Sequence, residues 1–264
     1  MPAPHNVLKH ALAEGKIQIG LWNSFASPTA SEIVGQAGYD WVLVDAEHTP
    51  NSVASLQMQL QAMNGAPSSS IVRVPVGEDA TLKRVLDIGA QSVLVPMVHT
   101  PEQAAAMVRA VRYPPHGIRG VGAGMARASG YGAEADYAAT ANDEICLIVQ
   151  AESRMAIDNI DAIAWTEGVD VVFIGPADLS ADMGHLGTTD HPEVLRTIEE
   201  AGARIRAAGK AAGILTFDTS MIRPFADMGF TFLGVGGDLA LYADAVRQRA
   251  RDARAALAAQ NIGG

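Results

Sequence analysis

Trp41-Val42-Leu43-Val44-Asp45-Ala46-Glu47-His48 is an apolar run that stops abruptly on charge. Strands covered on both faces read as continuous hydrophobics, and parallel strands are covered on both faces. Val93-Leu94-Val95 repeats the pattern. Working outward, eight such runs emerge, at 17–22, 41–46, 70–74, 92–98, 144–151, 169–174, 210–216 and 230–235. The stretches 29–37, 79–89, 101–111, 191–208 and 221–228 carry apolar residues three or four apart, the spacing of amphipathic helices. Gly38, Gly89, Gly209 and Gly229 stand where left-handed C-caps belong, Asp79 and Thr100 where N-caps belong, and Pro101 at a first helical position. Eight strands alternating with helices predict one α/β domain over residues 1–264, a closed (β/α)8 TIM barrel. A doubly wound open sheet uses the same alternation and is the rival. Two glycine-rich stretches, 113–132 after the fourth strand and 175–187 after the sixth, read as long loops of the kind that build active sites.

Composition removes several function classes. Apolar residues make up 48% and charged residues 18% of the 264, so the chain can bury a large core. A net charge of −10 repels phosphate backbones and anionic lipid, which argues against nucleic acid and membrane partners. No apolar run is long enough to cross a bilayer, and residues 1–16 do not read as a signal peptide. The single cysteine, Cys146, excludes an internal disulfide and a cysteine-cluster metal site and fits a reducing, cytoplasmic location.

Chemistry collects at the strand ends. Strand 2 runs into Asp45 and His48, strand 3 ends at Arg73, strand 5 at Gln150 and Glu152, strand 6 at Gly175-Pro176-Ala177-Asp178, and strand 8 at Asp238. In a barrel these ends converge on one mouth, where charged groups cost free energy unless paired or metal-bound. Glu152 and Asp178, from adjacent strand ends, suit a hard divalent ion such as Mg²⁺, or Mn²⁺ or Co²⁺ in its place. The alternative is two unrelated carboxylates facing Arg119 or Arg127. The four lysines, Lys9, Lys16, Lys83 and Lys210, all fall away from strand C-termini, which leaves no Schiff-base nucleophile. A metal acting as Lewis acid is the natural substitute. Trp22, closing strand 1, is a candidate pocket wall, whereas Cys146, Trp41 and Trp165 read as packing residues and His185 and His191 as solvated surface. The glycines of 117–124 lack a dinucleotide-binding context and read as loop flexibility or tight backbone packing. A long Ala/Arg-rich helix from Leu239 to Ala259 carries an apolar stripe for the barrel or another subunit.

These motifs resemble the HpcH/HpaI aldolase family. The likeness rests on Gly38-Tyr39-Asp40-Trp41 leading into Asp45-Ala46-Glu47-His48, on Val95-Pro96-Met97-Val98, on Arg112-Tyr113-Pro114-Pro115-His116-Gly117-Ile118-Arg119-Gly120 and on Phe173-Ile174-Gly175-Pro176-Ala177-Asp178-Leu179-Ser180. It spans nearly the whole chain and is strongest to 4-hydroxy-2-oxoheptanedioate aldolases of aromatic catabolism. The resemblance implies a TIM barrel assembled as a homohexamer, with C-terminal helices exchanged between subunits. It also implies class II aldol cleavage of a 4-hydroxy-2-oxo acid to pyruvate and an aldehyde.

Carried over residue by residue, the resemblance implies metal ligation by Glu152 and Asp178, a base at His48 and oxyanion stabilisation by Arg73. It implies pyruvate contacts at Gln150 and the backbone of Ala177, and an aldehyde contact at Leu215. It matches Asp87 to an acid that raises the histidine's basicity. Asp87 closes a helix on the far side of its own barrel, so it would act across a subunit contact, and Asp45 is the alternative partner within the chain. Ala46 replaces a glycine common among relatives, residues 22–27 differ from the heptanedioate enzymes, and Phe217 is bulkier than expected. The aldehyde is therefore open: succinic semialdehyde is the family default, and tartronate semialdehyde or lactaldehyde from 2-keto-3-deoxy sugar acids is the alternative. Other readings are a decarboxylating relative, a lyase of CoA thioesters and a non-catalytic 2-oxo acid binding barrel. The thioester reading would need a basic groove, which a chain at −10 with four lysines does not display.

Overall fold

The computed structural model describes residues 1–260; residues 261–264, the end of the expected single domain, lie outside the described residues. Eight strands, β1 (Gln18–Asn23), β2 (Trp41–Asp45), β3 (Ser69–Arg73), β4 (Ser92–Val95), β5 (Cys146–Ala151), β6 (Val171–Ile174), β7 (Ala211–Leu215) and β8 (Phe232–Gly237), pair in parallel in sequence order. β8 returns to β1 and closes the barrel, which eliminates the open-sheet rival. The helices up to β5 are α1 (Val7–Ala13), α2 (Pro28–Gly35), α3 (Val53–Ala62), α4 (Asp79–Asp87), α5 (Pro101–Val111) and α6 (Tyr137–Glu144). After β5 come α7 (Arg154–Asp158), α8 (Ile160–Ala164), α9 (Pro176–Asp182), α10 (Pro192–Ala207), α11 (Ile222–Asp227) and α12 (Asp238–Gln260).

The two-residue period of a strand sorts its side chains into two cores. Val42, Val44, Val72, Val93 and Leu147 point outward and pack under the helices. Trp41, Leu43, Ile71, Leu94, Cys146, Ile148, Phe173 and Phe232 form the core of the lumen. Trp41 stacks on Phe232 at 4.3 Å between centroids, and Trp22 meets Trp41 and Phe173 edge-on or tilted at 5.6 and 5.5 Å. α1 covers the N-terminal end, driving Leu8 and Leu12 into this core. The lumen is thus filled from below and open only above.

Local punctuation follows the sequence with defined exceptions. Gly38, Gly89, Gly209 and Gly229 adopt φ of +94°, +103°, +74° and +88°. Thr100 caps α5 in a reciprocal capping box with Gln103, and Pro101 opens the helix. Asp79 is not an N-cap: Glu78 holds that position, and Asp79 sits in the first turn, where its charge still complements the helix dipole. β4 stops at Val95 rather than reaching residue 98, because Pro96 cannot donate to the ladder. Trp165 is not a packing residue; it is 69% exposed.

The largest departure concerns residues 113–132. They follow α5 rather than β4 directly, so they run beneath the barrel and not at the mouth. Arg127 anchors the segment by donating to Ile88 O at 2.8 Å. Packing explains Gly117: a Cβ there would lie 2.3 Å from Arg109 O.

Candidate active site

The lumen alternation carries polar residues into the mouth. Trp41 and Leu43 point inward, so Asp45 does too; Ile71 is followed in phase by Arg73, and Cys146 and Ile148 by Gln150 and Glu152. Hydrophobic layers below therefore become a polar layer above, without any change of backbone. Asp45, Arg73, Gln150 and Glu152 are 2–8% exposed. At that burial each charge requires a partner.

Arg73 finds two. Its Nε and Nη2 donate to Oδ1 and Oδ2 of Asp45, both at 2.7 Å, and Nη1 lies 2.9 Å from Glu47 Oε2. Burial works against the guanidinium's charge, but Asp45 and Glu47 more than offset it and hold Arg73 above its ordinary range. Arg73 also lies 5.9 Å over the Trp22 ring. Burial raises the Glu47 carboxyl, with Arg73 and His48 pulling the other way.

Glu152 accepts from Met97 N at 2.8 Å and from the Gln150 side-chain amide, and its Oε2 closes against that amide. Met97 achieves this with φ of +57°, a left-handed conformation uncommon for residues other than glycine. Gly175 makes room for the pair: a Cβ there would lie 2.5 Å from Glu152 Oε2 and 2.8 Å from Gln150 Nε2. Burial pushes Glu152 up to about 7; the Met97 N–H opposes this, and the nearby Asp178 charge adds to it. No lysine or arginine pairs directly with Glu152 among the described residues. A buried carboxylate beside a second carboxylate, both supplying oxygen, is a donor set that fits a hard divalent cation.

A cavity of about 390 Å³ opens above these groups, lined by Trp22, Asp45, His48, Arg73, Gln150, Gly175, Pro176, Ala177, Asp178, Leu215 and Phe217. Nearly every residue singled out in the sequence borders this one space, with Glu152 just beneath it. No lysine lines it. A second cavity of about 410 Å³ adjoins it through Pro176, Ala177, Leu215 and Phe217, with Asp190 and Asp218 on its walls.

The one partnership for His48 expected within the chain is not formed. Asp45 turns both its oxygens to Arg73 and makes no hydrogen bond with His48. The carboxylate beside the histidine is Glu47, whose Oε2 lies 3.8 Å from His48 Nε2. Asp87 lies where its position in the sequence puts it, at the N-terminal face of its own barrel, accepting from Arg119 Nη2 at 2.8 Å. Arg119 is wholly buried, 4.3 Å over the Tyr113 ring. Arg119 and Arg127 thus have partners of their own, which removes them as counter-charges for Glu152 and Asp178.

Glu47 and Met97 were not singled out in the sequence. Glu47 lies two residues beyond Asp45, the lumen period, and this was the available signal. Met97 acts through its backbone and offers none. Asp238, read at the mouth, does structural work: it accepts from Ser24 N and Phe25 N at 2.8 and 3.2 Å, tying the end of β8 to the loop after β1.

Comparison with known proteins gives concordant matches. The family model described as HpcH/HpaI aldolase/citrate lyase matches residues 18–245. A hydroxypyruvate/pyruvate aldolase from Roseovarius nubinhibens is 52% identical over 248 residues, 94% of this chain and 96% of that protein. A 2-keto-3-deoxy-L-rhamnonate aldolase from Klebsiella pneumoniae is 50% identical over 244 residues, 92% of this chain and 91% of that one. Among solved structures, a family protein from Burkholderia cenocepacia superposes with a TM-score of 0.91 at 41% identity, covering 94% of this chain and 99% of its own.

Proposed function

This chain belongs to the HpcH/HpaI aldolase/citrate lyase family, and from that premise we propose that it is a metal-dependent aldolase acting on 4-hydroxy-2-oxo acids. It releases a 2-oxo acid, pyruvate or hydroxypyruvate, and a small neutral hydroxyaldehyde, and also runs in reverse. The observation that carries the reading is the convergence of Arg73, His48, Gln150 and Asp178 on one cavity, with Glu152 beneath it.

Glu152 and Asp178 would hold the divalent ion, which when bound supplies Lewis-acid polarisation of the 2-oxo acid. Arg73 stands immobilised by Asp45 and Glu47, so it presents a fixed positive charge where the enolate oxygen develops, at no cost in reorganisation. His48, with its side chain 69% exposed, is free to take the 4-hydroxyl proton directly or through a water. Glu47, between Arg73 and His48, is a positioning residue for both. Trp22 and Leu215 wall the cavity, and Phe217 divides it from its neighbour.

The sugar-acid reading is favoured over the heptanedioate one. The relatives at 50–52% identity carry names of the first kind. The charges agree: among the described residues, Arg73 and His48 are the only potential cations lining the mouth, and the adjoining cavity offers Asp190 and Asp218 but no arginine or lysine. The carboxylate of succinic semialdehyde, or of tartronate semialdehyde within the sugar-acid class, would find no counter-charge there, which leaves a neutral aldehyde such as lactaldehyde. For assembly, the exposed apolar residues Leu239, Leu241, Tyr242 and Val246 of α12 support the expected exchange of C-terminal helices in a hexamer.

The test is a coupled assay of 2-oxo acid release from 2-keto-3-deoxy sugar acids and from 4-hydroxy-2-oxoheptanedioate, in EDTA and with Mg²⁺, Mn²⁺ or Co²⁺ restored. Metal-dependent release with preference for the sugar acids is expected. Release that survives complete metal removal would overturn the roles of Glu152 and Asp178, and preference for the heptanedioate would restore the other aldehyde.

A further inference from the structure

Two clusters of histidine and carboxylate lie outside the catalytic mouth, among the described residues: His185 with His191 and Glu193, and His5 with His10 and Glu144. The first is already satisfied and is not simple solvated surface. His185 Nε2 is hydrogen-bonded to Glu193 Oε2 at 2.8 Å, the two rings stack at 3.6 Å, and His191 Nδ1 accepts the Glu193 N–H at the start of α10. The second cluster is different.

It sits at the N-terminal face, where α1 closes the barrel. Glu144 ends α6, just before β5, and its Oε2 accepts Asn6 N at 2.7 Å. Asn6 also caps α1 by accepting Lys9 N, and its side-chain amide donates to Glu144 O and Ser92 Oγ at 3.0 and 3.1 Å. These bonds fix the carboxylate and the backbone that carries His5 and His10 relative to each other. The imidazole rings stack, with 4.2 Å between centroids and 22° between their planes.

The separations are informative. His10 Nε2 is 3.3 Å from Glu144 Oε2, and His5 Nδ1 is 3.7 Å from Oε1. Charge-assisted hydrogen bonds run at about 2.7–2.9 Å, so one contact is long and the other is not a hydrogen bond. A tetrahedral ion bound at about 2.0–2.1 Å sets its ligand atoms roughly 3.3 Å apart. The three ligand atoms all lie within 4.8 Å of one another, close enough to share one ion once the side chains draw together around it.

We propose that His5, His10 and Glu144 form a second metal site, for a borderline ion such as Zn²⁺, Ni²⁺ or Co²⁺, that clasps the α1 segment to the start of β5. Two imidazoles suit these ions and not Mg²⁺, whereas Glu152 and Asp178 supply oxygen alone. The site does not depend on the aldolase reading. Water completes the coordination, and the ion's role is to hold the N-terminal plug in the barrel.

The experiment is calorimetric titration of the full chain with Zn²⁺ in excess Mg²⁺, with Co²⁺ absorption reporting coordination and hydrogen exchange reporting α1. One Mg²⁺-resistant Zn²⁺ per chain is expected, with a tetrahedral Co²⁺ spectrum and added protection of Leu8 and Leu12. His5→Ala and His10→Ala should each weaken binding roughly tenfold or more. Glu152→Gln and His185→Ala should leave it unchanged. His5 has a 63% exposed side chain, so its removal tests binding without threatening the fold. Absence of Mg²⁺-resistant Zn²⁺, or binding that survives His5→Ala but is lost in Glu152→Gln or His185→Ala, would overturn the proposal.

Discussion

Asp45 and Arg73 are register partners across β2 and β3, and their side chains meet in a two-pronged bond with both contacts at 2.7 Å. The backbone ladder and the ion pair therefore fix the same geometry. Asp45→Ala leaves a buried guanidinium with Glu47 alone and should cost about 3–5 kcal/mol, read by denaturant titration. Arg73→Lys keeps the charge but cannot reproduce the fork. It should lower kcat by about 10²-fold or more with a smaller loss of stability, read by steady-state kinetics beside melting.

Glu152 makes the metal-free protein sensitive to pH. Its carboxyl is raised from 4.5 to about 7, so between these values the folded state keeps a proton that the unfolded chain has released. Stability is therefore highest below the window and lost as pH rises through it, by at most about 1.4 kcal/mol per pH unit. In EDTA, the melting temperature of the wild type minus that of Glu152→Gln should fall between about pH 5 and pH 7 and then level. Saturating divalent ion should flatten the curve, because the bound carboxylate no longer needs the proton.

Gly175 packs directly against Glu152 and Gln150 at the proposed metal site. Gly175→Ala places a methyl 2.5 Å from Glu152 Oε2, and the carboxylate must move. Metal affinity and kcat/KM should drop about 10–100-fold. Far-UV circular dichroism should stay unchanged.

Phe217 borders both cavities and is 64% exposed. Phe217→Ala should join the two spaces and lower KM for longer aldehydes relative to short ones. Its stability should change by no more than about 0.5 kcal/mol, as for most exposed positions. An unchanged chain-length ranking would remove Phe217 from the specificity wall.

What the sequence made legible follows from one rule, the alternation of strand side chains. Asp45, Arg73, Gln150 and Glu152 stand in phase with Trp41, Ile71 and Cys146, so the fold and the mouth could be read together. Pairing among charges at the mouth was not legible. Asp45 stands three residues before His48 in the chain, yet the register of β2 against β3 gives it to Arg73. Nor does a one-dimensional reading separate a loop that leaves a strand from one that returns from a helix, which is why residues 113–132 were expected at the wrong end. Met97 contributes an amide proton, and amide protons have no signature in composition.

The aromatic stack of Trp41, Phe173 and Phe232, stoppered by α1, makes the barrel a blind well. Glu152 lies at its bottom, 3% exposed, and Phe217 at its rim. A molecule seated deep can leave only after whatever sits above it has gone. With the 2-oxo acid seated at Glu152 as proposed, departure in the cleavage direction should be sequential, aldehyde first and 2-oxo acid second, and in synthesis the donor should enter before the acceptor. Added 2-oxo acid should then compete directly with the substrate for free enzyme, while added aldehyde should inhibit in a mixed pattern.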